Sequence, residues 1–277
     1  MKLFGFRVIA LALMAAALFA ACSKTNLAAG SAAKPRLVWS DEFNYTGLPD
    51  SSKWGYDLGD GCPNLCGWGN NELQYYTAGR PENARVENGC LVIEARREKT
   101  GAREYSSARL VSRHKGDWTY GRMVIRARLP VGRGVWPAIW MLPTEWAYGN
   151  WPNSGEIDIM EHVGYLPDSI YGTVHTGRYN GMLGTQKSVG VRSTDLSRKF
   201  HEYSIEWDAE KIDFFFDGRR YQSFKNTHEG IGAWPFDRDF HLLLNVAVGG
   251  NWGGKMGVDT AVWPQKMLVD YVRVYQF

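Results

Sequence analysis

The chain has 277 residues and a net charge of +3 at neutral pH, with its charges spread along the sequence. That pattern argues against a nucleic-acid partner, which calls for a concentrated basic patch. Beyond the first 34 residues the length suits one large all-β domain, since such domains reach roughly 200–250 residues. Twelve tryptophans are many for one domain, and each buried indole N–H needs an acceptor. A cleft for carbohydrate is one place that accommodates them.

The first 21 residues have the pattern of an export signal. Lys2 and Arg7 give a positive start, and residues 9–21 form an apolar run. A segment of this kind is removed during export and is not part of the folded domain. The run is also short beside the roughly 20 apolar residues of a membrane-spanning helix.

The end of this signal predicts a lipid anchor. Residues 18–22 (Leu-Phe-Ala-Ala-Cys) resemble a bacterial lipoprotein signal, in which Cys22 becomes the lipidated N-terminus. An ordinary signal peptide cut near Ala21 is the alternative. Residues 22–34 are small and polar and predict a flexible tether. We therefore expect a protein that is anchored by lipid to the bacterial cell envelope, or secreted, and that touches the membrane only through its anchor.

The other three cysteines suit an exported protein. Cys62 and Cys66 are close enough in sequence for a disulfide that closes a small surface loop, and an oxidising compartment permits one. A zinc site is the other interpretation of a close pair, but the sequence has no second such pair. Cys90 opens an apolar run and is expected to be a buried thiol.

Residues 35–277 form one predicted domain of short strands, without a repeat or a second domain boundary. Alternation of apolar and polar residues predicts half-buried strands at residues 123–129 and 203–207, and residues 269–275 give a closing strand. Asp217 and Gly218 lie between apolar runs and predict a hairpin, because both tolerate a positive φ. Residues 193–199 predict a helical turn at most. Many short strands with regular turns predict a β-sandwich or jelly roll.

The most informative segment is residues 155–163, Gly-Glu-Ile-Asp-Ile-Met-Glu-His-Val. Glu156 and Asp158 are two apart and share one face of a strand, whereas the odd spacing to Glu161 would turn that carboxylate towards the core. Burying an unpaired charge there would be very unfavourable. One extra residue, a β-bulge near Ile159 and Met160, restores the outward direction, and bulges often re-aim side chains beside active sites.

Three acids on one face suit glycoside hydrolysis, which uses one carboxylic acid and one carboxylate across the bond that is cut. Like charges at close range raise one pKa and keep that group protonated near neutral pH. Glu156 and Glu161 lean inward over the short Asp158 between them. This arrangement favours the separation of roughly 5–5.5 Å between carboxyl groups that retaining enzymes use. A calcium site or a solvated acidic edge are the alternatives. Calcium ligands usually come from loops, whereas this segment alternates like a strand.

The same segment resembles the active-site signature of glycoside hydrolase family 16, in the longer, bulged form of the laminarinase-like endo-1,3-β-glucanases. The lichenases of that family lack the extra residue. The similarity extends over essentially the whole chain after the tether, through four further segments at residues 38–44, 68–76, 134–143 and 269–275. Several motifs in the same order are far more specific than the acids alone.

The resemblance implies a jelly-roll, concanavalin-like β-sandwich with a substrate groove on its concave sheet. It also implies roles for the acids: Glu156 as nucleophile, Glu161 as general acid/base, and Asp158 between them. Catalysis of this kind needs no cofactor. The implied substrate is β-1,3-glucan of the laminarin type, or mixed-linkage β-1,3-1,4-glucan, cut in an endo fashion.

Substrate-binding residues are expected along the groove. Trp136 and Trp140 share a strand face across the small Ala138, although a strand buried on both faces is the alternative, and the resemblance favours the cleft. The resemblance also implies sugar contacts for Asn70 and Arg109, which could otherwise be a turn residue and a surface charge. The remaining candidates are His175 on another strand, Trp252 in a glycine-rich loop and Gln265 near the same edge.

Relatives of this family often bind a structural calcium ion far from the cleft. The matching positions are the carboxylates of Glu42 and Asp270 and the carbonyl of Gly89. An ion joining the start and the end of the domain would stabilise the folded state. Asp270 could instead cap a strand or pair with a cation.

Other functions fit parts of the sequence. A non-catalytic carbohydrate-binding module would share the fold and the aromatic residues but would not need three aligned acids. A transglycosylase would keep every catalytic residue, and agarases belong to the same family, although the segments around Asn70 and Trp136 resemble laminarinases more. We expect a monomer whose partner is a polysaccharide.

Overall fold

The computed structural model describes Met1 and residues 35–277. The predicted signal, tether and lipidation site at Cys22 lie outside the described residues. Within residues 35–277 the regular structure is almost entirely β, with one short 3-10 segment at Cys66–Gly69. No helix in this described part has the length and apolar character needed to cross a bilayer.

The strands are short and follow one another closely. In chain order they are β1 (Arg36–Asp41), β2 (Gly55–Asp57), β3 (Gln74–Tyr76), β4 (Ala84–Glu87), β5 (Cys90–Thr100), β6 (Arg103–Ser107), β7 (Arg109–Val111), β8 (Asp117–Trp118), β9 (Gly121–Arg128), β10 (Val135–Pro143), β11 (Glu156–Glu161), β12 (Ser169–His175), β13 (Lys187–Arg192), β14 (His201–Trp207), β15 (Lys211–Phe216), β16 (Arg219–Lys225), β17 (Phe240–Val248) and β18 (Gln265–Gln276).

The strands of the described domain form two sheets that pack as a jelly-roll sandwich, which confirms the predicted fold class. The eight-stranded sheet runs β13-β12-β11-β10-β17-β7-β2, with β8 also paired to β17. The ten-stranded sheet runs β16-β15-β14-β9-β18-β5-β6-β3, with β1 paired to β18 and β4 paired to β5. Some neighbours are consecutive strands, as in β10-β11-β12-β13, but others are far apart in sequence, as in β10 beside β17 and β17 beside β7, and those contacts are a consequence of topology.

Local sequence explains the strands and turns that were expected. The predicted hairpin is confirmed: β15 and β16 are joined by Asp217 and Gly218, whose φ angles are 48° and 74°. Such a two-residue turn with positive φ at both positions follows the natural twist of the strands. The segment at 193–199 forms turns, with backbone bonds from residues 198 and 199 to Asp195.

The core lies between the two sheets and takes every second residue of the strands that matter for function. Ile139, Met141 and Ile157 are fully buried in it, together with Leu242 and Leu244 of β17. Residues that alternate with these point away from the core, to the outer face of the eight-stranded sheet. We call this outer face, built around β10, β11, β12 and β17, the site face.

Candidate active site

The bulge predicted from parity is present in β11. Against β10, Ala138 pairs with Glu161 and Ile139 pairs with Met160, but Trp140 pairs with Asp158, so Ile159 is the extra residue. The pairing with β12 shifts between Asp158 and Glu161 as well. Ile159 and Met160 are both buried in the core. The irregularity therefore returns the Glu161 carboxylate to the face that carries Glu156 and Asp158.

Glu161 is held by two donors from neighbouring strands. The indole Nε1–H of Trp136 donates to Oε1 at 3.1 Å, and the hydroxyl of Thr173 donates to Oε2 at 3.5 Å. Burial raises the pKa of Glu161 well above its ordinary value, and the negative charge of Glu156 on the same face raises the pKa further. The side chain is therefore suited to carry a proton near neutral pH, which is what a general acid requires.

Glu156 accepts a hydrogen bond from a residue that sequence reasoning missed. The indole Nε1–H of Trp151 donates to Oε2 of Glu156 at 2.6 Å. The loop between β10 and β11 carries this tryptophan back over the strand that follows it. Trp151 and Glu156 are only five residues apart in sequence, but this spacing does not show in which direction a loop side chain points. Each of the two glutamates therefore accepts one indole N–H.

Asp158 lies between them and is almost fully buried, with 2% of its surface exposed. Burial raises the pKa of Asp158 well above its ordinary value, and the negative charge of Glu156 raises it further. On β12, His175 places Nε2 3.3 Å from Oδ2 of Asp158 and 4.0 Å from Oε1 of Glu156. Asp158 is thus suited to stay protonated and to share its proton with Glu156.

The same three side chains are the cluster that could hold a cation, because Glu156, Asp158 and His175 each place an atom within 4.8 Å of the others. The backbone N–H of Gly181, however, donates to Nδ1 of His175 at 3.2 Å. A neutral imidazole that accepts at Nδ1 carries its proton on Nε2, the atom that faces the carboxylates. A metal-bound histidine usually donates its other N–H instead. The arrangement fits a hydrogen-bond donor better than a metal ligand.

Aromatic side chains enclose the end of the site near Glu161. Trp252 packs edge-on against Trp136 at 5.7 Å and against Tyr171 at 5.2 Å between ring centroids. Tyr171 is the residue of β12 that pairs directly with Glu161. The glycine-rich loop that carries Trp252 therefore lies beside two residues that neighbour Glu161.

Arg109 lies on the site face in β7, separated from the strand of the acids by β10 and β17. It pairs in register with Asn245, donates to Asp57 at 2.8 Å, and stacks its guanidinium 3.7 Å from the centroid of Trp68. The Trp140 ring is 5.7 Å from the same guanidinium. Arg109 is thus a fixed cation beside Trp140, and its charge is already paired with a carboxylate. We call Trp140 and Trp136, which share one face of β10, the tryptophan platform.

The other two polar candidates, Asn70 and Gln265, lie in different parts of the fold and have different hydrogen-bond partners. Asn70 donates to Glu72 at 3.4 Å, and its backbone carbonyl binds the N–H of Asn251 in the loop that carries Trp252. Gln265 instead begins β18 in the ten-stranded sheet, where Oε1 accepts from the N–H of Val131 and the amide donates to the Val262 carbonyl. These bonds tie two loops together and leave the expected sugar contact of Gln265 without support.

The expected calcium ligands lie at one corner of the ten-stranded sheet. Val272 pairs with Asp41 and Val269 pairs with Leu91, so Asp270 lies between the end of β1 and the turn that contains Gly89. The carboxylate of Glu42 accepts two bonds from Arg273, at 2.9 and 2.7 Å, and Asp270 pairs with Arg126. An ion bound here would displace both arginines.

The cysteines have distinct environments. Cys62 and Cys66 form a disulfide, which closes the loop just before Trp68. Cys90 is a free and partly buried thiol, and burial raises its pKa.

Two glutamates and a buried aspartate on one face of a β-sandwich, lined by tryptophans, define the protein as a glycoside hydrolase. The chain matches the family model "Glycosyl hydrolases family 16" over residues 71–273, and it belongs to that family. It is 56% identical over 248 residues to a β-glucanase of Rhodothermus marinus, covering 87% of this chain and 85% of the relative.

Solved structures agree with this assignment. The laminarinase of Rhodothermus marinus superposes with a TM-score of 0.84 at 55% identity, covering 88% of this chain and 98% of that one. SCLam, described as a non-specific endo-β-1,3(4)-glucanase, superposes with a TM-score of 0.83 at 50% identity, covering 88% of this chain and 92% of that one.

Proposed function

We propose that this chain is a retaining endo-hydrolase of β-1,3-glucan, acting on laminarin-type chains and on mixed-linkage β-1,3-1,4-glucan. The observation that carries the mechanism is the bulge at Ile159, because it brings Glu161 to the face of Glu156. The substrate class follows from the similarity to the laminarinase and glucanases described above.

In the first step Glu156 attacks the anomeric carbon while Glu161 donates its proton to the departing glucosyl oxygen. Glu161 holds that proton because burial and the nearby negative charge of Glu156 raise its pKa. The Trp151 N–H fixes one oxygen of Glu156 and leaves the other to face the sugar. The product of this step is a covalent glycosyl-enzyme.

In the second step water replaces the departed sugar. Esterification removes the charge of Glu156, so a neighbour that favoured the protonated form of Glu161 is lost and the pKa of Glu161 falls. Glu161 then takes a proton from the attacking water, and the bond between sugar and Glu156 breaks. Asp158 returns to sharing its proton with the free carboxylate.

Sugar rings would lie on the site face against the tryptophans. Trp136 and Trp140 supply flat apolar faces, and Trp252 encloses the end near Glu161. Asn70, Arg109 and His175 would bond to hydroxyl groups. Arg109 and His175 already have protein partners that hold them in one orientation. Pre-oriented polar groups bind with less loss of side-chain entropy.

Product analysis tests this function. The purified protein should release oligosaccharides from laminarin and mixed-linkage glucan but not from agarose, and proton NMR at early times should show the β-anomer. Glu156→Gln should abolish release. Products of inverted configuration would exclude retention, degradation of agarose alone would exclude the substrate, and unchanged activity of Glu156→Gln would exclude the mechanism. Longer oligosaccharides as the main products even at low substrate concentration, with little gain of reducing ends, would identify a transglycosylase.

We also propose that the protein is exported and anchored through a lipid on Cys22, supported by the signal-like sequence of residues 1–22. Radiolabelled palmitate should enter the full-length protein in a bacterial host. Cys22→Ser should abolish the label and release the protein from the membrane fraction. Label that persists in the Cys22→Ser variant would contradict this assignment.

A structural calcium ion is proposed at Glu42, the Gly89 carbonyl and Asp270, supported by their placement at one corner of the ten-stranded sheet. The ion would supply a positive charge that joins the two ends of the domain, and it would have to compete with Arg273 and Arg126. Calcium added after chelation should raise the melting temperature of the wild type and not of Asp270→Asn. An equal response of the two proteins would reject the site.

A further inference from the structure

A line of side-chain hydrogen bonds runs beneath the site face and ends at the tryptophan platform. The indole Nε1–H of Trp140 donates to Oδ1 of Asn245 at 2.7 Å, and Nδ2 of Asn245 donates to the hydroxyl of Tyr76 at 2.9 Å. The Tyr76 hydroxyl in turn donates to Oε2 of Glu72 at 3.5 Å. We call these four residues the Trp140 relay.

The direction of the relay is set by chemistry. An indole N–H can only donate, so the oxygen of the Asn245 amide must face Trp140 and its nitrogen must face Tyr76. Tyr76 accepts from that nitrogen and is left with one proton to give, and Glu72 provides the acceptor. Every member therefore has a single orientation that is compatible with its neighbours, from Trp140 at one end to Glu72 at the other.

Glu72 is buried, with 6% of its surface exposed, and the proposed reaction gives it no role. Gln74 donates to Oε2 at 2.6 Å and Asn70 donates to Oε1 at 3.4 Å. Burial of a carboxylate is unfavourable even when it is well bonded, and apolar replacements of buried charges are often neutral or stabilising. A contribution to stability therefore explains poorly why a carboxylate is buried here. A function in orienting the side chains bonded to it explains the carboxylate directly.

Trp140 is the member of the relay next to the catalytic residues, since it pairs in register with Asp158. Its N–H is taken by Asn245, so the indole offers a substrate only its face. A sugar ring stacks well on an indole only when that face is parallel to the ring, and an unrestrained side chain would have to be ordered on binding.

We propose that Glu72 is a positioning residue, which holds the Trp140 indole in the orientation that a glucosyl ring stacks on, through Tyr76 and Asn245. The inference rests on the proposed glucan hydrolysis and adds to it a residue that touches neither the substrate nor the reacting atoms. The site then has two kinds of acidic residue. Glu156, Asp158 and Glu161 take part in the reaction, and Glu72 orients the surface that binds the sugar.

Tyr76→Phe tests the relay because it removes one hydroxyl and keeps the ring. With laminarin as substrate, KM should rise about fivefold while kcat changes less than twofold, since the loss of one hydrogen bond is on the order of 1 kcal/mol. Tyr203→Phe is the matched control: its hydroxyl is buried without a partner on the core side, and its KM should not change.

Glu72 is tested by a conservative and a disruptive change. Glu72→Gln keeps an oxygen acceptor and should stay within about twofold of the wild-type KM, whereas Glu72→Ala should match Tyr76→Phe. The double variant Glu72→Ala/Tyr76→Phe should be no worse than either single variant, because both interrupt the same line of bonds.

The outcomes are distinct. A wild type inactive on every β-1,3-glucan would reject the proposed function itself. An active wild type with an unchanged KM in Tyr76→Phe would reject the relay alone. A lowered melting temperature and a lower fraction of active enzyme at an unchanged KM would show that Glu72 and Tyr76 serve only stability, and would also overturn the inference.

Discussion

The indole N–H of Trp151 lies 2.6 Å from Oε2 of Glu156, a short hydrogen bond from the loop that precedes β11 to the first residue of that strand. The donor comes from a neutral side chain, so it orients the carboxylate without neutralising it. The same relationship recurs at the other glutamate, where Trp136 donates to Glu161. A tryptophan therefore helps to orient each of the two glutamates, the proposed nucleophile and the proposed acid/base.

Removing the Trp151 donor should slow the reaction. Trp151→Phe keeps an aromatic ring but frees Glu156 to rotate, and a hydrogen bond to a charged group contributes about 1.5–3 kcal/mol. We expect kcat/KM on laminarin to fall roughly 10- to 100-fold. Trp146→Phe, at a more exposed tryptophan of the same loop, is the control and should match the wild type. A Trp151→Phe enzyme within twofold of the wild type would contradict this role.

The raised pKa of Glu161 has a consequence for stability. A carboxyl whose pKa is higher in the folded state stabilises the fold fully below its unfolded pKa, and that contribution is lost as pH rises through the folded pKa. Glu161→Gln should therefore melt at a higher temperature than the wild type at pH 7, with a difference that shrinks towards pH 4. Glu104→Gln, at an exposed position, should show no such trend. A constant difference across this pH range would argue against the raised pKa.

The disulfide should support substrate binding. Cys62 and Cys66 close the loop that leads into Trp68, whose ring stacks on Arg109. Replacing both cysteines with serine should raise KM on laminarin about threefold, consistent with the ~0.5–1 kcal/mol of an exposed cation–π contact. A reducing agent should raise the KM of the wild type and leave the serine variant unaffected. Equal KM values for the oxidised and the reduced enzyme would show that the disulfide loop does not contribute to substrate binding.

The bulge can be tested by deletion. Removing Ile159 leaves Glu156 and the second glutamate four residues apart, an even spacing that keeps both on one face of a regular strand. This deletion should retain measurable activity on mixed-linkage glucan. Removing Ile157 instead changes the parity between Glu156 and Asp158 and should abolish activity. Loss of activity in both deletions, with both proteins folded by circular dichroism, would show that the extra residue does more than restore parity.

Much of the architecture was predictable because it depends on short-range rules. Strand alternation and the paired turn residues at Asp217 and Gly218 are properties of neighbouring residues, and both are present. The bulge followed from the same reasoning, since an odd spacing between acids has few solutions in a strand. The calcium corner shows the limit: sequence similarity indicated Glu42 and Asp270 as ligands, but not the arginines from β18 and β9 that pair with them.

By itself the sequence determined that Glu156 and Asp158 share one strand face and that Glu161 needs a bulge to join them, because side-chain direction along a regular strand depends on residue count. Tertiary structure alone decided which groups hold those acids and their platform. Trp140 and Asn245 are separated by 105 residues, and Asn245 and Tyr76 by 169. Such contacts depend on which strands become neighbours and in what register. That choice is made by the packing of the whole sandwich, because no local spacing encodes the distance between residues so far apart along the chain.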